Sequence, residues 1–249
     1  MYDTECVMRL CSLWFANFDE GSLHEFLSSA LGRVSSHKFT FLAHQLAVRL
    51  LQADGARTPP AQVLLHTLVL RMAREHPYHT LYQISCLRPR DDILNADLHR
   101  RHSARSNPRT DAEASREAAA IDIFAKLRSD SNNSSVIGVE LMCAAALEWA
   151  TYPLRESAAQ KKVKTGTLQK IPDYLRIRKL SALCVPVPTG NTRVDPTKKY
   201  RRCVWVAGYQ ATFQTAGGVN LPKISVCIGS NKQEYKQLVR VPILSLIHI

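Results

Sequence analysis

The arrangement of apolar residues changes near residue 182, and this change constrains the fold more than any other feature of the chain. Before it, apolar residues recur every three or four positions. Leu42, Leu46 and Leu50, for example, lie four apart, which places them on one face of a helix. After it, prolines interrupt any helical pattern, and β-branched and aromatic residues dominate. The sequence therefore predicts an α+β fold that is helical first and β afterwards.

The helical part, up to about residue 158, predicts antiparallel helical hairpins stacked into an array. Residues 63–72 are apolar on nearly all sides, which predicts a central helix, and prolines mark the breaks before and after it. Similar patterns at 113–127 and 136–149 predict two further helices, and residues 39–51 another. Two tryptophans at helical apolar positions are expected in the core: Trp14 and Trp149.

The part that follows residue 182 predicts an antiparallel sheet. Four short segments rich in β-forming residues are expected to be strands: 203–206, 209–213, 223–228 and 235–240. The Gly-containing turn at 229–231 lies between the last two, which predicts a hairpin there.

The chain is basic, with 33 Lys and Arg against 21 Asp and Glu and a net charge of +12 at pH 7. Such a charge attracts polyanions. Two stretches concentrate it: Arg88, Arg90, His99, Arg100, Arg101, His102, Arg105 and Arg109, and then Lys161, Lys162, Lys164, Lys170, Arg176, Arg178 and Lys179. No aromatic residues are interleaved for base stacking, and a solvated loop or helix face explains both stretches more simply. A non-catalytic basic scaffold that binds nucleic acid or an acidic partner protein stays open as an alternative function.

Other classes of protein and site are disfavoured. The seven cysteines include no C-x-x-C pair, which predicts buried free thiols in a reducing compartment and neither a disulfide framework nor a zinc ribbon. A metal site at His76 and His79 is disfavoured, because Pro77 lies between them and neither has a Cys or carboxylate partner at metal-ligand spacing. No apolar run approaches the roughly 20 residues that span a bilayer, and no basic segment opens a signal peptide, so no membrane partner is expected.

The segment between the second and third predicted strands is the best candidate for chemistry. Its residues are Ala216, Gly217, Gly218, Val219, Asn220, Leu221, Pro222 and Lys223. Glycines let a backbone approach phosphate oxygens, and a lysine on a rigid strand supplies a fixed positive charge. The pattern is not a Walker A loop, and taken alone it is more typical of a simple turn.

A wider set of motifs resembles the phosphatidylinositol-3-kinase-related protein kinases. The β-part motifs are 187–189, 209–213, 217–224, 227–230 and 237–239, and the helical motifs are 11–14, 38–39, 45–47 and 76–81. The resemblance covers about residues 6–240. It implies the C-terminal part of a FAT helical domain over 1–182, followed by the start of a kinase N-lobe over 183–240. It further implies that 216–222 form the loop over ATP and that Lys223 contacts the ATP phosphates.

The resemblance also carries expectations about the intact protein. It implies a nuclear serine/threonine kinase of the DNA-damage response that uses ATP and Mg²⁺. Its substrates would be proteins with Ser-Gln or Thr-Gln sites, its partners DNA-break sensor proteins, and its FAT region would form a homodimer. One departure weakens a polar contact near the nucleotide, since Val226 stands where the family commonly has an acidic residue. The turn at 229–232 also differs, without an expected effect.

Much of the family's catalytic machinery lies further along the chain of its members than this resemblance extends. There an acidic residue pairs with the lysine, an Asp acts as the base, and an Asn and an Asp hold Mg²⁺. No Asp or Glu follows Glu234 here, and residues 241–249 depart from the family pattern, which predicts a non-native tail. The chain is thus expected to be a kinase fragment that has no catalytic residues of its own, transfers no phosphate and binds no cofactor tightly.

Overall fold

The computed structural model describes residues 2–53, 55, 58–94, 110–131, 133–154, 166, 168–188, 192–216 and 222–240. Contacts divide the chain into two compact units. The first takes its residues from 1–89, 102–137 and 193–201, and the second from 90–101, 138–192 and 202–249. These units do not follow a division at residue 182, because the described residues 138–154 and 168–182 belong to the same unit as the β part. A FAT-to-kinase boundary at 182 stays a prediction.

The first unit is helical, as the apolar spacing predicted. Its helices are α1 Tyr2–Ala16, α2 Gly21–Arg33, a 3₁₀ helix Ser36–Leu42, α3 Ala43–Ala47, α4 Pro60–Glu75, α5 Pro77–Ser85 and α7 Asp111–Arg128. Proline at the first position starts α4 and α5, where its missing N–H costs nothing. A capping box starts α7, with Thr110 accepting from the Glu113 N–H and Glu113 reaching back to the Thr110 N–H.

The helix predicted over 39–51 is a 3₁₀ helix followed by the short α3. Its apolar residues are buried as expected, Leu46 and Leu50 both at 0% exposure. The Gln62 side chain explains the early end of α3, since it donates to the Arg49 carbonyl and accepts from the Leu51 N–H. These backbone groups therefore leave the helical ladder for a side chain of α4.

Tyr200 lies within the first unit, although it is distant in sequence from the helices that surround it. Its hydroxyl is hydrogen-bonded to Nδ1 of His76 at 2.8 Å, and Lys198 pairs with Glu75 at 2.7 Å. Both Lys198 and Tyr200 have positive φ, at 65° and 50°, which is costly for residues other than glycine. The Asp195 side chain accepts from the Thr197 and Tyr200 N–H groups and holds the turn in this shape.

Acidification is expected to destabilise this unit through His76. The imidazole is 0% exposed, and burial lowers the pKa of His76 to about 4 from its usual value of about 6.5. Glu75 opposes this shift, while His37, His79 and Lys198 reinforce it. Because the unfolded chain takes up the proton first, stability is lost as the pH falls from about 6.5 towards 4, by up to about 3 kcal/mol.

This loss is measured by urea unfolding at pH 7, 5.5 and 4.5 on the chain and on His76→Asn, whose amide can still meet the Tyr200 hydroxyl. The variant should lose less stability on acidification than the unaltered chain. His44→Gln, at an exposed position of α3, is the control and should behave like the unaltered chain. An equal loss of stability in all three proteins would show that protonation of His76 is not its cause.

The second unit contains a four-stranded antiparallel sheet. Its strands are β1 Leu168–Lys170, β2 Val206–Thr215, β3 Lys223–Gly229 and β4 Glu234–Val239, in the order β1-β2-β3-β4. The short helices α6 Arg90–Leu94 and α9 Arg176–Lys179 also belong to this unit, as does most of α8 Ser134–Thr151. The α+β class is confirmed, and among the described residues the first strand begins after position 158.

Two features of the sheet differ from the prediction. The predicted strand over 203–206 is an isolated bridge between Pro186 and Trp205, with only Val206 entering β2. Pro186 explains this, because proline has no N–H with which to continue a ladder. The strand β1 was not predicted, since its three residues lie in a polar, basic stretch and take strand form by pairing with 212–214 of β2.

Several smaller predictions can be compared with the structure. Trp14 and Trp149 are core residues, at 1% and 0% exposure. None of the seven cysteines, all within the described ranges, is in a disulfide. The expectation that the thiols are buried holds for Cys11 and Cys227, where burial raises the pKa to about 11, and is wrong for the exposed Cys6, Cys86 and Cys184.

Within the described helices, none has the length and apolar character needed to cross a membrane.

Candidate nucleotide-phosphate site

The structure describes the two ends of the predicted loop and the strands on either side. Ala216, Pro222 and Lys223 lie in the described residues, whereas Gly217, Gly218, Val219, Asn220 and Leu221 lie outside them. Thr215 pairs with Lys223 across β2 and β3, and the Ala216 N–H donates to the Pro222 carbonyl at 2.7 Å. The hairpin is therefore closed tightly at its base. The roles of the eight residues in binding ATP stay a prediction.

Lys223 is the first residue of β3, and its side chain is buried at 5% exposure. Its Nζ donates to the Ala150 carbonyl at 2.9 Å and lies 5.2 Å from the centroid of the Trp149 ring. Burial lowers the pKa of the Lys223 ammonium below its usual value. The described polar partner of the ammonium is thus a carbonyl at the end of α8.

Trp149 is held in place from three sides. Its indole N–H donates to Ser225 Oγ at 2.7 Å, its ring meets the Phe213 ring edge-on at 4.7 Å, and Tyr152 stacks on it at 5.7 Å. The aromatic face under the Lys223 ammonium is therefore fixed relative to both β2 and β3. Edge-on and stacked pairs of this kind add about 0.5–1.5 kcal/mol each beyond the area they bury.

Charged neighbours complete the surroundings of α8. Glu148 accepts from the Arg176 N–H at 2.7 Å, and Arg90 donates to Thr151 Oγ1 at 3.2 Å. Val226, at the position where the resemblance led us to expect an acidic residue, pairs with Lys236 of β4 and is half-buried. No carboxylate stands at position 226 to offset the positive charge of this strand.

The two basic stretches are only partly within the described residues. Arg88 is 6% exposed, with its guanidinium 4.2 Å from the centroid of the Phe124 ring, and Arg178 donates to the Tyr209 carbonyl. These two arginines therefore serve packing inside their units. Nine basic-stretch residues lie outside the description: His99, Arg100, Arg101, His102, Arg105, Arg109, Lys161, Lys162 and Lys164.

Reasoning from the sequence missed the partners of Lys223. The contact to Ala150 uses a backbone carbonyl, which leaves no trace in the residue type, and the two residues are 73 positions apart. The structural feature that goes with this contact is the alternating burial of the residues along β3. Lys223, Ser225 and Cys227 form its buried face, whereas the apolar Ile224 is on the less buried side.

Comparison with known proteins identifies relatives over nearly the whole chain. No family model matches. The serine-protein kinase ATM of Sus scrofa is 33% identical over 94% of this chain and 8% of the relative. The serine/threonine-protein kinase TEL1 of Cryptococcus neoformans is 28% identical over 95% of this chain and 7% of the relative. The kinase ATM of Arabidopsis thaliana is 27% identical over 96% of this chain and 6% of the relative.

Solved structures give the same result for the fold. The open conformation of CtTel1 superposes with a TM-score of 0.76 at 24% identity, covering 95% of this chain and 8% of that one. The FAT and kinase domain of CtTel1 gives 0.74 at 23% identity, covering 94% and 15%. The chain thus spans less than a tenth of the length of the curated relatives it matches, and the predicted family is confirmed. Across about 95% of its length the chain is a homologue of the Tel1 and ATM serine/threonine kinases, which are phosphatidylinositol-3-kinase-related kinases, in their FAT and kinase region.

Proposed function

We propose that the chain is a segment of a Tel1/ATM-type serine/threonine kinase in which the 216–223 hairpin forms part of the ATP site. One observation carries this proposal. The Ala216 N–H and the Pro222 carbonyl close the base of a short loop that leads directly into a buried lysine on a paired strand. A loop anchored in this way would present backbone N–H groups to phosphate oxygens, with the positive charge of Lys223 at its end.

In the intact kinase, 1–182 would be the end of the FAT domain and 183–240 the start of the N-lobe. ATP and Mg²⁺ would supply the phosphoryl group and the charge neutralisation, with Ser-Gln and Thr-Gln sites as substrates. DNA-break sensors would recruit the enzyme in the nucleus. The solved relatives include a complete CtTel1 dimer with C2 symmetry, which supports a homodimer here as well, and we place its interface in the FAT region as part of the proposal.

The proposal is tested by changing the loop in the intact kinase. Replacing Gly217 and Gly218 together by valine places side chains where the backbone would approach phosphate, so the KM for ATP should rise by about tenfold or more. The matched control is Lys232→Gly, in the turn at the other end of β3, where φ is 64° and glycine fits without strain. The control should leave the KM within about twofold of the parent value.

If the KM for ATP is unchanged in the double-valine variant, the loop is not part of the nucleotide site. A fall in kcat without a change in KM would contradict phosphate binding in the ground state and would place the loop in the transition state alone.

A further inference from the structure

The Lys223 side chain joins two elements that are far apart in sequence. It starts β3, directly after the proposed nucleotide loop, and its Nζ donates to the carbonyl of Ala150, 73 residues earlier. Lys223 is buried, with 5% of the residue exposed. A buried cation is costly unless it is held by defined partners, so this contact is a strong constraint on the local structure.

The end of a helix is a suitable partner for an ammonium. Ala150 is the last residue but one of the 18-residue helix α8, and the last four carbonyls of a helix have no partner within it. These carbonyls also carry the negative end of the helix dipole. The Trp149 ring adds an electron-rich surface 5.2 Å from Nζ. Charge, hydrogen bonding and ring contact therefore all hold Lys223 at α8.

This contact has a direct consequence for the loop. Lys223 is paired with Thr215 on one side and with Val239 on the other, so its backbone belongs to the centre of the sheet. Fixing its side chain on α8 fixes the point at which the loop returns to the sheet. One of the three N–H donors of the ammonium is used by the Ala150 carbonyl, so Nζ is tied to the end of α8 before any ligand arrives.

We propose that Lys223 is a positioning residue, which holds the nucleotide loop in register by anchoring the start of β3 to the carboxyl end of α8. This rests on the proposed function of the loop. The role differs from direct phosphate contact, because the ammonium acts through the helix and the strand. Trp149 shares the role, since it touches both the ammonium and Ser225.

The first test is hydrogen–deuterium exchange of the intact kinase, measured on peptides covering 145–152. Lys223→Met keeps most of the side-chain length and removes the charge, so exchange in this last turn of α8 should rise by about tenfold in the absence of nucleotide. Lys236→Met is the control, since this lysine is exposed on β4 of the same sheet. Unchanged exchange in Lys223→Met would overturn the proposal.

The second test is a double-mutant cycle on the KM for ATP. Lys223→Met and Trp149→Phe should each raise the KM severalfold with little change in kcat, and the double variant should be scarcely worse than either alone. Lys223→Arg should restore much of the loss, because a guanidinium can still donate to the Ala150 carbonyl. Three results together would indicate direct phosphate contact and contradict positioning. The effects of the two single variants on the KM would multiply in the double variant, the kcat of Lys223→Met would collapse, and arginine would give no rescue.

The two proposals fail in different ways. If the double-valine loop variant leaves ATP binding unchanged, the proposed function fails, whatever the exchange data show. If the loop variant impairs ATP binding while the exchange of α8 does not respond to Lys223→Met, only the positioning role fails.

Discussion

The 249-residue chain, mixed with ATP, Mg²⁺ and a Ser-Gln peptide, is expected to transfer no phosphate. Positioning and charge neutralisation supply almost all the catalysis of phosphoryl transfer, and in this family they come from a later Asp base and metal-binding Asn and Asp. No Asp or Glu follows Glu234 in this sequence, so the chain has no carboxylate beyond the sheet to serve as base or ligand.

A radiometric assay with the parent chain and Lys223→Met checks this expectation. Both should be at the level of the enzyme-free blank, whereas an intact Tel1/ATM-type kinase assayed in parallel should phosphorylate the peptide. Turnover by the parent chain that Lys223→Met abolishes would show that a catalytic base lies among the residues placed here in the scaffold.

The largest loss of stability from a single substitution is expected for Trp149→Ala. The side chain is 0% exposed and contacts Phe213, Tyr152 and the Lys223 ammonium. Its removal leaves a large cavity and leaves Ser225 Oγ without its indole donor. The free energy of unfolding should fall by about 3–5 kcal/mol, the range for truncating a buried tryptophan.

Urea unfolding of the chain, followed by circular dichroism, measures this loss. Tyr174→Ala provides a matched control in the same unit, because Tyr174 is an aromatic residue that is 65% exposed, and its effect should be within about 0.5 kcal/mol. Trp149→Phe, which keeps a ring but loses the hydrogen bond to Ser225, should lie between the two. Equal midpoints for Trp149→Ala and Tyr174→Ala would show that the contact between α8 and the sheet contributes little.

The long helices could be predicted because their signals are local. Pro60 starts α4, the capping box of Thr110 and Glu113 starts α7, and the apolar run from 136 forms the body of α8. The early end of α3 could not be predicted in this way, since it depends on Gln62 of another helix. The three-residue β1 exists only through its pairing with β2.

The same distinction applies to the candidate site. The hairpin and its turn at 229–231 follow from glycines and β-forming residues within a few positions of each other. The buried face of β3 does not follow, because alternation alone would turn Ile224 and Ile228 towards the core. The buried face is instead the polar one, with Lys223 and Ser225, because α8 offers it polar partners. The Trp149 indole donates to Ser225, and the Ala150 carbonyl at the end of α8 accepts from Lys223.

The separation of 76 residues between Trp149 and Ser225 has a consequence for the order in which the protein is made. Translation at about 5–20 residues per second delivers β3 roughly 4–15 s after α8 has been synthesised. During that interval Met142 and Trp149, which contact Tyr209 and Ser225 in the finished unit, have no complete sheet to cover them. The apolar face of α8 is therefore uncovered during synthesis and open to aggregation until the sheet emerges from the ribosome.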